Sequence, residues 1–203
     1  MRETRGDAGL DVAVAGLGTG ALLAYCSHGD SWFMAEIDPQ VVSLAREHFT
    51  FLEQCPQAEI VLQDARLALA AQAAVADPPQ YDLIILDAYA DDMMPIHLMT
   101  TEAIREYLSL LKPDGILAIH ISSRYLELRP VIKGNAITND LVVRYQDDRD
   151  PLEHAAPSVW TLLARNEQVF AGAAFEDTET LAEFDTLVWT DTYSALFPVV
   201  EWW

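Results

Sequence analysis

Lysine is almost missing from this 203-residue chain: Lys112 and Lys133 are the two that occur. Basic residues number 12 against 32 acidic ones, a formal net charge of −20 at pH 7. A surface of that sign repels phosphate backbones, so nucleic acid is not an expected partner. It would tolerate or attract a cationic small substrate, although solubility alone would also account for it. Cysteine is scarce too. Cys26 and Cys55 form no C-x-x-C pair and read as buried thiols in a reducing, cytoplasmic setting. No apolar run approaches the ~18–20 residues that cross a bilayer. The first nine residues are short and polar, unlike a signal peptide. No two histidines share ligand spacing, so no metal site is expected.

What the chain has is a strand and helix alternation organised by one early stretch. Leu10 to Ala15 is apolar, with Val12 and Val14 favouring a strand. Gly16, Gly18 and Gly20 follow at every second position, and a helix pattern begins behind them. Glycine lets the backbone turn tightly and lets a ligand lie close against it. A helix N-terminus would present free N–H groups at the same place. By itself the turn admits a dinucleotide, an adenosyl cofactor or no ligand.

Further strands are read at Ser31–Ile37, Ala58–Leu62, Tyr81–Leu86, Ile116–Ile121, Asp140–Tyr145 and Ser158–Ala164. Helices are read from Pro39 (with Asp38 as cap), over Arg66–Val75, from Thr100 or Thr101 to Leu111, over Leu126–Ala136, and briefly near Thr178–Phe184. Such alternation predicts an α/β fold, a doubly wound, seven-stranded, mostly parallel sheet with an antiparallel hairpin at one edge, in a single domain over residues 1–203. That is the Rossmann-like pattern of class I methyltransferases.

In such sheets ligands collect at the carboxyl ends of the strands. Four consecutive strands end in the glycine turn, in Glu36-Ile-Asp38, in Asp64-Ala65 and in Asp87. Glu36 stands about 20 residues beyond Gly16, where an acid can accept from both ribose hydroxyls. Asp64 could accept from an adenine amine and the Ala65 N–H could donate to a ring nitrogen. Asp64 could equally cap the helix that follows. Asp87 faces the reactive end of the cofactor, where a carboxylate can take a proton from an attacking amine. A dinucleotide enzyme has no particular use for Asp64-Ala65, which favours an adenosyl thioether cofactor. Tyr89, Asp91, Asp92, His97 and Tyr193 are candidates for lining an acceptor pocket, or ordinary loop residues. His120 lies inside a predicted strand and reads as a hydrogen-bonded core histidine.

Several stretches carry a family resemblance: Val14-Ala-Gly-Leu-Gly-Thr-Gly20, Glu36-Ile-Asp-Pro-Gln-Val41, Gln63-Asp-Ala-Arg66, Tyr81-Asp-Leu-Ile-Ile-Leu-Asp87, Pro95-Ile-His-Leu-Met-Thr100, Leu111-Lys-Pro-Asp-Gly115, His120-Ile-Ser-Ser-Arg-Tyr-Leu126 and the tail Trp189-Thr-Asp-Thr-Tyr193-Ser-Ala-Leu-Phe197. In order and spacing the chain resembles the spermidine synthase family, in particular its bacterial spermidine synthase-like branch. The resemblance implies decarboxylated S-adenosylmethionine as cofactor and aminopropyl transfer to a polyamine-type amine. It places Glu36 on the ribose, Asp64 on the adenine and Asp87 beside the amine. The chain departs from the family pattern in three ways. Thr19 stands where an acid is usual in the glycine loop. Asp87-Ala-Tyr-Ala-Asp91-Asp92 replaces Asp-Ser-Ser-Asp-Pro. The N-terminal β-domain is missing, so the sequence is a fragment or its acceptor differs. Two other readings stay open: a methyltransferase using intact S-adenosylmethionine on a small molecule, and a non-catalytic nucleoside-binding domain of a larger protein. A homodimer is compatible with all three.

Overall fold

Tyr81–Leu86 is the apolar centre about which the sheet is built, because it is covered on both faces. In the computed structural model, which describes residues 9–89, 94–148 and 157–200, it is β4 of seven strands. The others are β1 (Asp11–Ala15), β2 (Ser31–Glu36), β3 (Glu59–Leu62), β5 (Leu111–His120), β6 (Val142–Asp148) and β7 (Ser158–Ala164). Their order across the sheet is β3-β2-β1-β4-β5-β7-β6. The first five strands in that order run parallel, while β7 is antiparallel to both β5 and β6. The fold is thus the expected α/β architecture, edge hairpin included.

Side chains of a strand alternate between faces, and β1 shows both faces buried. Val12 and Val14 join one core with Leu23, Trp32, Met34 and Cys55. Ala13 and Ala15 join the other with Leu69, Ile104, Tyr107 and Trp189. Among the described residues five α-helices accompany the sheet: α1 (Pro39–His48), α2 (Phe51–Gln54), α3 (Ala65–Ala73), α4 (Thr101–Leu110) and α5 (Arg129–Thr138). Asp38 caps α1 by accepting from the Gln40 N–H at 2.8 Å, as its position before Pro39 predicts. No helix among the described residues is long and apolar enough to cross a membrane.

Both lysines are occupied by the fold. Lys112 bonds Asp11 at 2.7 Å and the fully buried Asp82 at 2.9 Å, at the end of the sheet away from the glycine turn. Lys133 donates to the carbonyls of Ala182 and Phe184.

The structure corrects four sequence expectations. Cys26 and Cys55 are not thiols; they form a disulfide with an S–S distance of 2.03 Å. Both side chains belong to or pack on the same apolar cluster, and sequence spacing carries no sign of that proximity. The segment behind the glycine turn is a single 3-10 stretch, Ala21–Tyr25, rather than an α-helix, and Cys26 ends it in extended backbone. The helix read from Leu126 starts at Arg129, because Leu126 is paired to Val200 of the tail. No helix forms near Thr178–Phe184, since Glu179 exchanges backbone hydrogen bonds with Tyr145.

Candidate active site

The glycine turn closes β1 against its neighbours. Gly16, Gly18 and Gly20 have φ of 96°, 53° and 81°, the left-handed region where a side chain is strained. A Cβ on Gly16 would lie 2.4 Å from the Asp87 carbonyl oxygen, so the turn packs directly on the end of β4. A Cβ on Gly20 would lie 2.5 Å from Leu52 of α2. Above Gly18 nothing stands within 4 Å, which leaves room for a ligand against bare backbone.

Backbone hydrogen bonds then set the strand ends in one row. The Gln63 N–H donates to the Glu36 carbonyl at 2.9 Å, the Gly16 N–H to Ala35 at 2.8 Å and the Asp87 N–H to Ala15 at 2.9 Å. Glu36 is 8% exposed. Its carboxylate accepts from the Leu17 N–H at 3.0 Å and from the Asp38 N–H at 2.9 Å. It clamps the glycine turn from below, and each oxygen retains a second lone pair, enough for two further donors. Asp64 caps α3, accepting from the Leu67 N–H at 3.1 Å. Its other oxygen lies 3.0 Å from His97 Nε2. Ala65 is buried in the first turn of that helix.

The acceptor candidates are not all brought together. His97 stands on Asp64 rather than beside Asp87. Tyr193 is exposed and pairs by its backbone with Thr190. Asp91 and Asp92 lie outside the described residues. Tyr89 does stand beside Asp87, together with the residue that sequence reasoning assigned to the core. His120, at the end of β5, holds Nδ1 2.7 Å from Asp87 Oδ1 and Nε2 2.6 Å from Ser122 Oγ. Its ring stacks on Trp160 at 4.6 Å, with planes 9° apart, and meets the Tyr89 ring at 4.9 Å. The Tyr89 hydroxyl donates to the His120 carbonyl at 2.8 Å. Burial, and then the Asp87 charge, push that phenol well above its ordinary range. Tyr89 therefore stays neutral and fixes the ring's place.

A cavity of about 500 Å³ opens beside this array. Tyr89, His120, Ser122, Arg124, Glu127 and Arg129 are among its walls. Arg129 is neutralised by Glu127 and Asp147 and lies 4.4 Å from the Phe184 ring. It braces the wall rather than offering a free charge.

The tail ties this end of the molecule together. Asp191 accepts two bonds from Arg66 at 2.6 and 2.7 Å and one from the Thr100 hydroxyl at 2.7 Å. Trp189 is fully buried, and the Glu127 N–H at the cavity wall donates to Val199. Arg66, foremost, holds the Asp191 carboxyl at about 2, against an ordinary 3.8. A depressed folded pKa means the tie is intact above pH 3.8 and is lost as pH falls through about 2. Replacing Arg66 with methionine should return the Asp191 midpoint toward 3.8 in a carboxyl NMR titration; an unmoved midpoint would refute the assignment.

Similarity to known proteins fits this geometry. No family model matches the chain. It is 36% identical to the N-terminal histidine N-methyltransferase of Emericella nidulans over 117 residues, 57% of this chain and 20% of that protein. It is 31% identical to the polyamine aminopropyltransferase of Vibrio vulnificus over 115 residues, 55% of this chain and 38% of that protein. The chain thus spans well under half the length of either curated relative. Human Methyltransferase-like protein 13, solved in complex with SAH, superposes with a TM-score of 0.63 at 23% identity, over 79% of this chain and 74% of that one.

The fold is that of the class I S-adenosylmethionine-dependent transferases.

Proposed function

We propose that this chain is the catalytic domain of a transferase that moves an alkyl group from an adenosyl-sulfonium cofactor to an amine nitrogen. One observation carries the reading: Gly16 packs on the Asp87 carbonyl, so a cofactor lying on the turn ends where the Asp87–His120 pair and the cavity begin. Gly16, Gly18 and Gly20 would hold its backbone-facing side, Glu36 its ribose hydroxyls, and Asp64-Ala65 its adenine. When bound, the sulfonium supplies an electrophilic carbon. The chain's part is to seat the acceptor in line with that carbon and remove a proton.

The acceptor chemistry supported first is a polyamine-type amine, receiving an aminopropyl group. The resemblance of the strand-end motifs and the 31% identical aminopropyltransferase support it. Methyl transfer is the second reading. Thr19 favours it, because an acid at that place in the loop would repel the carboxylate of intact S-adenosylmethionine and this chain has none. The 36% identical relative is a methyltransferase.

Calorimetry with S-adenosylmethionine, its decarboxylated form and methylthioadenosine separates the readings. Aminopropyl transfer requires preference for the decarboxylated cofactor, and methyl transfer the reverse. Binding of none of the three would remove both.

A further inference from the structure

We propose that Ser122, His120 and Asp87 form a proton relay whose outer atom, Ser122 Oγ, touches the acceptor, with Asp87 a positioning residue. The proposal rests on the transferase reading and adds to it the route of the proton. Asp87 does not reach the cavity itself: one carboxylate oxygen is bonded to His120 at 2.7 Å, and His120 Nε2 lies 2.6 Å from Ser122 Oγ. Tyr89, His120 and Ser122 line the cavity, whereas Asp87 is not among its walls.

The direction of each hydrogen bond follows from what the groups can do. An ionised carboxylate only accepts, so Nδ1 carries the hydrogen and donates to Asp87. In the neutral ring Nε2 then has a lone pair, and the Ser122 hydroxyl must donate to it. Ser122 Oγ also accepts from the Val159 N–H at 2.7 Å, which leaves one lone pair with no protein donor among the described residues. Ser122 is itself a residue of the cavity wall. Stacking on Trp160 and contact with Tyr89 prevent the ring from turning away.

The step balances within these groups and the acceptor. As the acceptor nitrogen bonds to the electrophilic carbon, the carbon–sulfur bond breaks and its electron pair stays on sulfur. The nitrogen gains positive charge and gives a proton to Ser122 Oγ, while the Ser122 hydroxyl proton passes to His120 Nε2. The resulting imidazolium lies against the Asp87 carboxylate, and loses its proton to solvent before the next turnover. Ser122 ends as a neutral hydroxyl. It forms no bond to carbon.

The test is the tautomer of His120, read by ¹H–¹⁵N correlation of the imidazoles near neutral pH in the cofactor-free protein. Its signals are assigned with His120→Gln, or by elimination with Gln at the other four histidines. The relay requires the Nδ1–H form, with Nε2 moving toward a free lone pair in Ser122→Ala and the Nδ1–H form lost in Asp87→Asn. An Nε2–H form in the native protein overturns the relay, because Ser122 could then pass nothing inward. So does an Nε2 signal indifferent to Ser122→Ala. Neither result touches the transferase reading, which calorimetry decides. With an acceptor in hand, Ser122→Ala should slow turnover by about 10²-fold at unchanged cofactor affinity.

Discussion

Replacing Asp87 with asparagine should reduce turnover by about 10²–10⁴-fold while leaving cofactor affinity nearly unchanged. The two halves of that expectation come from different atoms. Affinity depends on the Asp87 backbone, whose N–H bonds Ala15 and whose carbonyl packs on Gly16. Asparagine keeps both. Turnover depends on the carboxylate, the partner that, among the described residues, compels His120 to carry its hydrogen on Nδ1. An amide can instead donate to Nδ1, which turns the ring into the form that cannot accept from Ser122. Single-turnover rates beside calorimetric titrations of wild type and variant make the measurement. Equal rates would remove Asp87 from the mechanism, and a lost affinity would show that its side chain serves the cofactor instead.

The second large effect concerns the turn. Gly16→Ala should destabilise the fold by about 2–5 kcal/mol, from left-handed strain of about 1–2 kcal/mol plus about 1–3 kcal/mol of overpacking. Its Cβ would meet the Asp87 carbonyl oxygen at 2.4 Å and the carbon at 2.9 Å, both backbone atoms that cannot step aside. The corresponding fall in Tm is roughly 4–20 °C for a chain of this size. Gly18→Ala is the control. Its Cβ would enter open space, so only the strain of a φ of 53° is added, and it should unfold well above Gly16→Ala. Paired thermal melts decide the matter. If the two variants melt together, contact between the turn and β4 contributes nothing.

Much of this site was legible in the sequence, and the reason is local. Gly16 to Gly20, Glu36, Asp64 and Asp87 each follow directly on an apolar strand, so periodicity alone places them at strand ends. A parallel sheet then puts those ends in one row. His120 read as a hydrogen-bonded core histidine, and it is hydrogen-bonded, to Asp87 and Ser122; its place beside the cavity depends on pairing across the sheet. It faces Trp160 only because β7 returns antiparallel beside β5, a register set by residues some 40 positions away in the chain. An i, i+2 pair of His120 and Ser122 at a strand end was the available signal, since both side chains then share a face. The tail motif was visible, but its purpose was not. Nothing near Asp191 in sequence announces Arg66. The disulfide was hidden for the same reason.

That disulfide closes residues 26–55 into a covalent ring, and the ring contains β2, α1, α2 and the loop clamp Glu36. The half of the molecule that shapes the glycine turn is therefore fastened twice, once by hydrogen bonds to Leu17 and Asp38 and once by a bond that thermal motion does not open. The His120 half has no covalent tie among the described residues. A single backbone cut anywhere between Cys26 and Cys55 leaves one molecule; the same cut in β5 or β7 leaves two. The site is thus assembled from a stapled wall and an unstapled one, and a change in thiol–disulfide poise reaches only the first.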